Sequence, residues 1–111
     1  MSANNDKAVE ITSREFDETI NNSRKKLVVV DFFAEWCMPC VMMAPVIESL
    51  AEKMKAIKFA KINVDDNQEL SNKFKVSSIP TLIIFKKGKE IARINGSLPE
   101  EVLEERIKKN L

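Results

Sequence analysis

Leu27-Val28-Val29-Val30-Asp31-Phe32-Phe33-Ala34-Glu35-Trp36-Cys37-Met38-Pro39-Cys40 is the stretch on which the whole chain turns. Up to Phe33 it is aliphatic, β-branched or aromatic with one charge inside, and a run apolar on both faces fits a central strand covered by helices on each side. Over 37–54 the apolar residues Val41, Ala44, Ile47, Leu50, Ala51 and Met54 follow helical spacing. Pro45 falls inside that helix, where the missing amide should bend it. The two cysteines therefore stand where a strand hands over to a helix.

That placement has chemical consequences. Helix positions i and i+3 share a face with β-carbons about 5 to 6 Å apart, and a small adjustment reaches the ~3.8 Å of a disulfide. The free amides and macrodipole at a helix N-terminus stabilise an anion, so the first cysteine, Cys37, should have a lowered pKa and be the nucleophile. Pro39 costs little in a first turn whose amides lack intrahelical partners, and it stiffens the segment between the sulfurs. One alternative treats both cysteines as buried small hydrophobes. Metal binding is the rival chemistry, but tetrahedral zinc needs four ligands and the chain has two cysteines and no histidine. Only a lone copper(I) or a site shared between molecules is left, and Met42, Met43 and Met54 are expected to fill core gaps rather than bind copper.

Outward from the centre, Thr12-Ser13-Arg14-Glu15 has the pattern of a capping box, followed by Phe16 and Ile20 on one helical face. Residues 21–26 are polar and turn-like. Residues 57–64 alternate as a strand bounded by Asp65-Asp66-Asn67, 68–75 fit a short helix, and Pro80 marks the next boundary. Thr81-Leu82-Ile83-Ile84-Phe85 and Glu90-Ile91-Ala92-Arg93-Ile94 form an expected antiparallel hairpin around Gly88. Leu98-Pro99-Glu100-Glu101 opens a last helix with Lys108 and Lys109 near its end, matching the macrodipole. Strands alternating with helices, plus a late hairpin, predict an α/β sandwich with a mixed sheet. One domain over 1–111 is expected, with 1–6 as a flexible N-terminus.

Composition narrows the function. Eighteen basic and seventeen acidic residues leave a net charge of +1, so no bulk attraction to nucleic acid or an acidic membrane is expected. No apolar run approaches the ~20 residues of a membrane span, and the polar start lacks a secretory signal, so a cytoplasmic protein is expected. Absence of histidine removes the commonest general base and metal ligand. A cysteine pair three positions apart differs from the scattered framework of a secreted scaffold. No resident cofactor is expected, and the chain is read as a monomer.

The segment from Val30 to Cys40 resembles the active-site segment of the thioredoxin family. Pro45, Lys61-Ile62-Asn63-Val64-Asp65, Ile79-Pro80-Thr81, Gly88 and Gly96 follow in the family's order, so the likeness covers nearly the whole chain. It implies a thioredoxin fold, a five-stranded mixed sheet flanked by four helices, and reduction of disulfides in protein substrates with electrons from a thioredoxin reductase. Cys37 would attack a substrate disulfide and Cys40 would resolve the mixed disulfide. Cys40 is expected to lie deeper and more shielded, and to need a base.

Further roles follow from the same likeness. Asp31 matches a buried acid whose desolvation should raise its pKa into the range useful for proton transfer; its alternative is a side chain pointing to solvent. Lys61 matches a lysine near that acid, against an ordinary surface lysine at a sheet edge. Pro80 matches a cis proline beside the disulfide, with the Ile79 backbone offered to an extended substrate. Gly96 would leave room for that substrate, or would serve only a positive φ. Trp36 and Met38 form an apolar rim for docking, unless Trp36 is core. Met38 stands where the commonest family member has glycine. Two other classes compete with the redox reading: a binding module of the same fold with an incidental dithiol, and a metal carrier using Cys37 and Cys40. Oxidase or isomerase work is less expected in a chain without a secretory signal.

Overall fold

A computed structural model describes residues 8–111. The flexible segment expected over 1–6 lies outside the described residues. The elements are β1 (Val9–Glu10), α1 (Ser13–Asn21), a 3-10 turn (Asn22–Arg24), β2 (Leu27–Phe33), α2 (Met38–Lys53), β3 (Ile57–Asn63), α3 (Gln68–Lys73), β4 (Thr81–Lys86), β5 (Lys89–Asn95) and α4 (Glu100–Lys108). The sheet has five strands in the order β1-β3-β2-β4-β5, with β2 in the middle. β1 and β2 run parallel to β3, whereas β4 is antiparallel to β2 and to β5. This is the thioredoxin fold that the active-site segment implied.

Alternation along β2 assigns each side chain to a layer. Val28, Val30 and Phe32 lie in one cluster with Phe16 and Ile20 of α1 and Leu70 of α3. Leu27 and Val29 lie in the other, with Met43, Ile47 and Leu50 of α2 and Leu103 and Ile107 of α4. Each such apolar side chain taken fully out of water contributes about 1.5–3 kcal/mol before chain entropy is counted. On the first face, the ring of Phe16 lies 5.3 Å from that of Phe74 and 5.8 Å from that of Phe85, in tilted and edge-on geometry. Asp31 has the parity of Leu27 and Val29, which places it on the layer that α2 covers.

Local chemistry sets the element ends. The capping box closes at α1, where the Glu15 carboxylate accepts from the Thr12 amide at 2.9 Å. Lys87 and Gly88 join β4 to β5 with φ of 54° and 83°, the doubly positive pair that a tight hairpin turn needs. Ser23 clamps that turn, its hydroxyl accepting from the Gly88 amide at 2.6 Å and its carbonyl from the Lys87 amide at 2.8 Å. β1 is the element that hydrophobic pattern missed: its two residues are both exposed and are held by pairing Val9 and Glu10 with Ala60 and Lys61 of β3. α3 stops at Lys73 rather than 75, because Lys75 turns to φ 54°. Among the described residues, no helix is long and apolar enough to cross a membrane.

Candidate active site

Beyond Phe33 the chain turns through Ala34-Glu35-Trp36 and enters α2. Cys37 is the N-cap, with extended backbone, and Pro39 falls in the first turn. Cys37 and Cys40 are joined by a disulfide, their Cα atoms 5.2 Å apart. The Cys40 amide donates to Cys37 Sγ at 3.2 Å, so the first sulfur already occupies the place where a helix N-terminus stabilises negative charge. The greater shielding expected of Cys40 is not found, since each cysteine is only 5% exposed. The reason is local packing. Both sulfurs sit in a small apolar cluster with Ala34, flanked by Phe33, Val64 and Ile79.

The Ile79-Pro80 bond is cis, and the Ile79 carbonyl oxygen comes within 3.8 Å of Cys37 Sγ. This puts the loop before β4 directly against the disulfide. The Gly96 amide donates to the Pro80 carbonyl at 2.8 Å and so ties the end of β5 to the same loop. Gly96 has φ +86°, and a side-chain carbon built there would meet no atom within 4 Å. Backbone conformation therefore explains the glycine, and the space beside it is open.

Asp31 is buried, which overturns the solvent-facing alternative. Burial pushes its carboxyl from the ordinary 3.8 up to about 7, and the nearby Lys61 charge offsets part of that rise. In the sheet it lies in register between Lys61 of β3 and Leu82 of β4. Its Oδ1 is buried without a hydrogen-bond partner. Lys61 is half-buried on an interior strand, not at a sheet edge, and its ammonium lies 5.2 Å from the centre of the Phe33 ring.

The rim of the site is apolar and open. Trp36 is 71% exposed and Met38 66% exposed, so Trp36 is not core. Val41 and Met42 are exposed as well, contrary to the inward position that helical spacing suggested for Val41 and the core gap that Met42 was expected to fill. The inward face of α2 is instead Cys40, Met43, Ile47, Leu50 and Ala51, with Met54 capping it, and Val41 and Met42 fall on the side turned from the sheet. Met43 and Met54 do pack in the core as expected.

One functional neighbour escaped sequence reasoning. The Trp36 indole N–H donates to Asp65 Oδ2 at 2.8 Å, across 29 residues of sequence. Asp65 is itself placed by Asn63, whose Oδ1 accepts the Asp65 amide at 2.9 Å. Asn67 extends the network, donating to the Asn63 carbonyl and accepting from the Ser13 amide, each at 2.9 Å. No local spacing links Asp65 to Trp36; only the apposition of two turns does. Among the described residues, no group of three or more histidine, cysteine, aspartate or glutamate side chains could hold a metal.

Comparisons with known proteins agree with this geometry. The Thioredoxin family model matches residues 7–109. The thioredoxin of Chlamydia pneumoniae is 46% identical over 100 residues, covering 90% of this chain and 95% of the relative. Thioredoxin-1 of Saccharomyces cerevisiae is 45% identical over 91 residues, covering 82% and 86%. Among solved structures, a mutant thioredoxin from Halobacterium salinarum superimposes with a TM-score of 0.86 at 34% identity, over 98% of this chain and 95% of that one.

Proposed function

Because the chain belongs to the thioredoxin family and carries its dithiol pair, it is a thiol-disulfide oxidoreductase, and we propose the following division of labour among its residues. In the reduced protein, the Cys37 thiolate attacks one sulfur of a substrate disulfide. A mixed disulfide forms and the other substrate sulfur leaves as a thiolate. Cys40 loses its proton and attacks Cys37 Sγ, expelling the second substrate thiolate and closing the Cys37–Cys40 disulfide. Two electrons pass to the substrate, and the oxidised protein that remains is the state in the structure.

The observation that carries the assignment is the Cys40 amide aimed at Cys37 Sγ from the first turn of α2. After reduction the same donor and the helix dipole favour the thiolate at Cys37, while among the described residues no such donor reaches Cys40 Sγ. Asp31 serves as the base for Cys40. A carboxyl that titrates near 7 can take a proton at neutral pH and return it during reoxidation. Lys61 tunes that carboxyl through its charge. Ile79 and Pro80 present backbone to an extended substrate strand, the open space at Gly96 admits it, and Trp36, Met38 and Pro39 form the apolar docking rim.

Partners in this scheme are disulfide-containing proteins on one side and a thioredoxin reductase on the other, with neither nucleic acid nor membrane required. A reducing compartment, the cytoplasm, suits a pair that must be recharged as a dithiol. The chain works as a single domain and a monomer, its exposed apolar rim engaged by substrate rather than by a second copy. The test is insulin disulfide reduction by the dithiothreitol-charged protein beside Cys37→Ser and Cys40→Ser. Cys37→Ser is expected to be inactive, and Cys40→Ser to accumulate a mixed disulfide. A Cys37→Ser protein as active as the parent would end the nucleophile assignment.

A further inference from the structure

A second concavity lies at the other end of the molecule. Ser23, Arg24, Lys25, Lys26, Leu27, Ala56, Lys86, Lys87 and Leu111 line a cleft of about 340 Å³. Leu27 opens the seven-residue β2, and the cysteines follow its far end, so at ~3.3 Å per residue the cleft is roughly 20 Å or more from the disulfide. Five of the lining side chains are cationic and none is a carboxylate. Among the described residues these five make no ion pair, whereas Lys53, Arg93 and Lys108 elsewhere do. Among the described residues, Lys86 Nζ donates only to the Asn110 carbonyl, at 3.4 Å. The buried Ser23 hydroxyl accepts from Gly88 and donates to no described acceptor, leaving its hydrogen for a ligand.

We propose that this cleft binds a compact polyphosphate anion, as a free phosphate chain or as the triphosphate of a nucleotide. Unpaired like charges held together raise the energy of the folded state, and a multivalent anion relieves that repulsion. The net charge of +1 shows that the cluster is a local concentration and not a property of the whole surface. Its shape favours a small ligand over a polymer or a membrane. The cations converge on a concavity at the scale of small-molecule sites, about 300–1,000 Å³, rather than spreading along a stripe. Guanidinium and ammonium donors with a hydroxyl match phosphate oxygens.

Calorimetry and thermal melting with sodium tripolyphosphate and, separately, ATP test the proposal on the intact protein at low salt. Saturable one-to-one binding of tripolyphosphate with a raised melting temperature is expected. Lys26→Gln with Lys86→Gln should weaken it by about tenfold, the sum expected from losing two charged contacts. Arg14→Gln, which removes one positive charge from exposed α1 far from the cleft lining, should leave binding unchanged, and all variants should retain insulin reduction. Binding of ATP as tight as tripolyphosphate would show that the phosphate chain suffices, whereas ATP binding without tripolyphosphate binding would overturn the proposal. So would non-saturable binding, equal weakening by Arg14→Gln, or preferential, Lys26-dependent binding of duplex DNA or of phosphatidylserine vesicles.

Discussion

β2 has two halves that are chemically opposed, although every residue but the half-buried Phe33 is buried. Val28, Val29 and Val30 are at most 1% exposed and surrounded by apolar side chains from both helical layers. One residue later Asp31 is 4% exposed, with one carboxylate oxygen lacking any partner. The first half stabilises the fold, while the second holds a group that burial penalises. A strand running from one environment to the other gives the dithiol a rigid base and, within the same element, a proton-exchanging group whose affinity is set by poor solvation.

The sharpest break between the halves is chemical. Cys37→Ser should lower insulin disulfide reduction by at least about a thousandfold while leaving the melting curve of the reduced protein nearly unchanged, since serine preserves the helix cap. Measurable turnover above the uncatalysed dithiothreitol background would remove the site from this end of β2.

Asp31→Asn gives the next largest effect, and its sign depends on pH. Because the folded carboxyl binds its proton more tightly than the unfolded one, its contribution to stability is fully present below 3.8 and is lost as pH rises to about 7. At about 1.4 kcal/mol per pH unit that loss is roughly 4 kcal/mol. The oxidised asparagine variant should therefore match the parent near pH 3.5 and exceed it by a few kcal/mol at pH 8, as read by denaturant melts. Resolution of the mixed disulfide should slow by about 10- to 100-fold at pH 8, in line with loss of a general base. A stability difference that stays constant from pH 4 to 9 would deny the buried carboxyl its role.

Leu50→Ala probes the α2 layer that packs with Leu27 and Val29 of the opposite half. Leu50 is fully buried in the layer shared by α2 and α4, and its truncation should cost about 2–5 kcal/mol at every pH. Activity per folded molecule should stay close to that of the parent. Parallel stability-versus-pH curves for Leu50→Ala and the parent, beside diverging ones for Asp31→Asn, would separate packing from titration. Convergence of all three would mean that the halves of β2 do not differ as described.

What could be read from the residues alone divides along the same line. β2, α2 and the β4–β5 hairpin were legible because each is specified by its own pattern: an apolar run, a helical period, a turn glycine at Gly88. β1 was not, because Val9 and Glu10 have no pattern of their own and exist as a strand only through pairing with β3. Val41 and Met42 were misassigned because the start of α2 is apolar almost all round, so periodicity cannot say which side meets the sheet. Burial of Asp31 was undecidable by alternation alone. It became decidable once Leu27 and Val29 placed that parity beneath α2. Equal shielding of the two cysteines depends on Ile79 and Val64, distant in sequence and brought in only by the fold.

The smallest effect concerns how the rim is held. Trp36 is exposed, so packing alone does not fix its ring, and its described polar anchor is Asp65 at 2.8 Å. An exposed hydrogen bond to a charged acceptor contributes on the order of 1 kcal/mol, too little to matter for folding but enough to keep the indole oriented for docking. Asp65→Ala should therefore lower global stability by no more than about 1 kcal/mol and raise the KM for insulin about two- to fivefold, with kcat nearly constant, as for loss of uniform binding. Asp65→Asn separates the two properties of the anchor, because the amide oxygen still accepts from the indole while the charge is gone. If orientation is what matters, asparagine restores the parental KM and quenched tryptophan mobility returns in fluorescence anisotropy. If asparagine behaves like alanine, the rim is governed by the negative charge of Asp65 rather than by the hydrogen bond, and the Trp36 ring is not an oriented docking element.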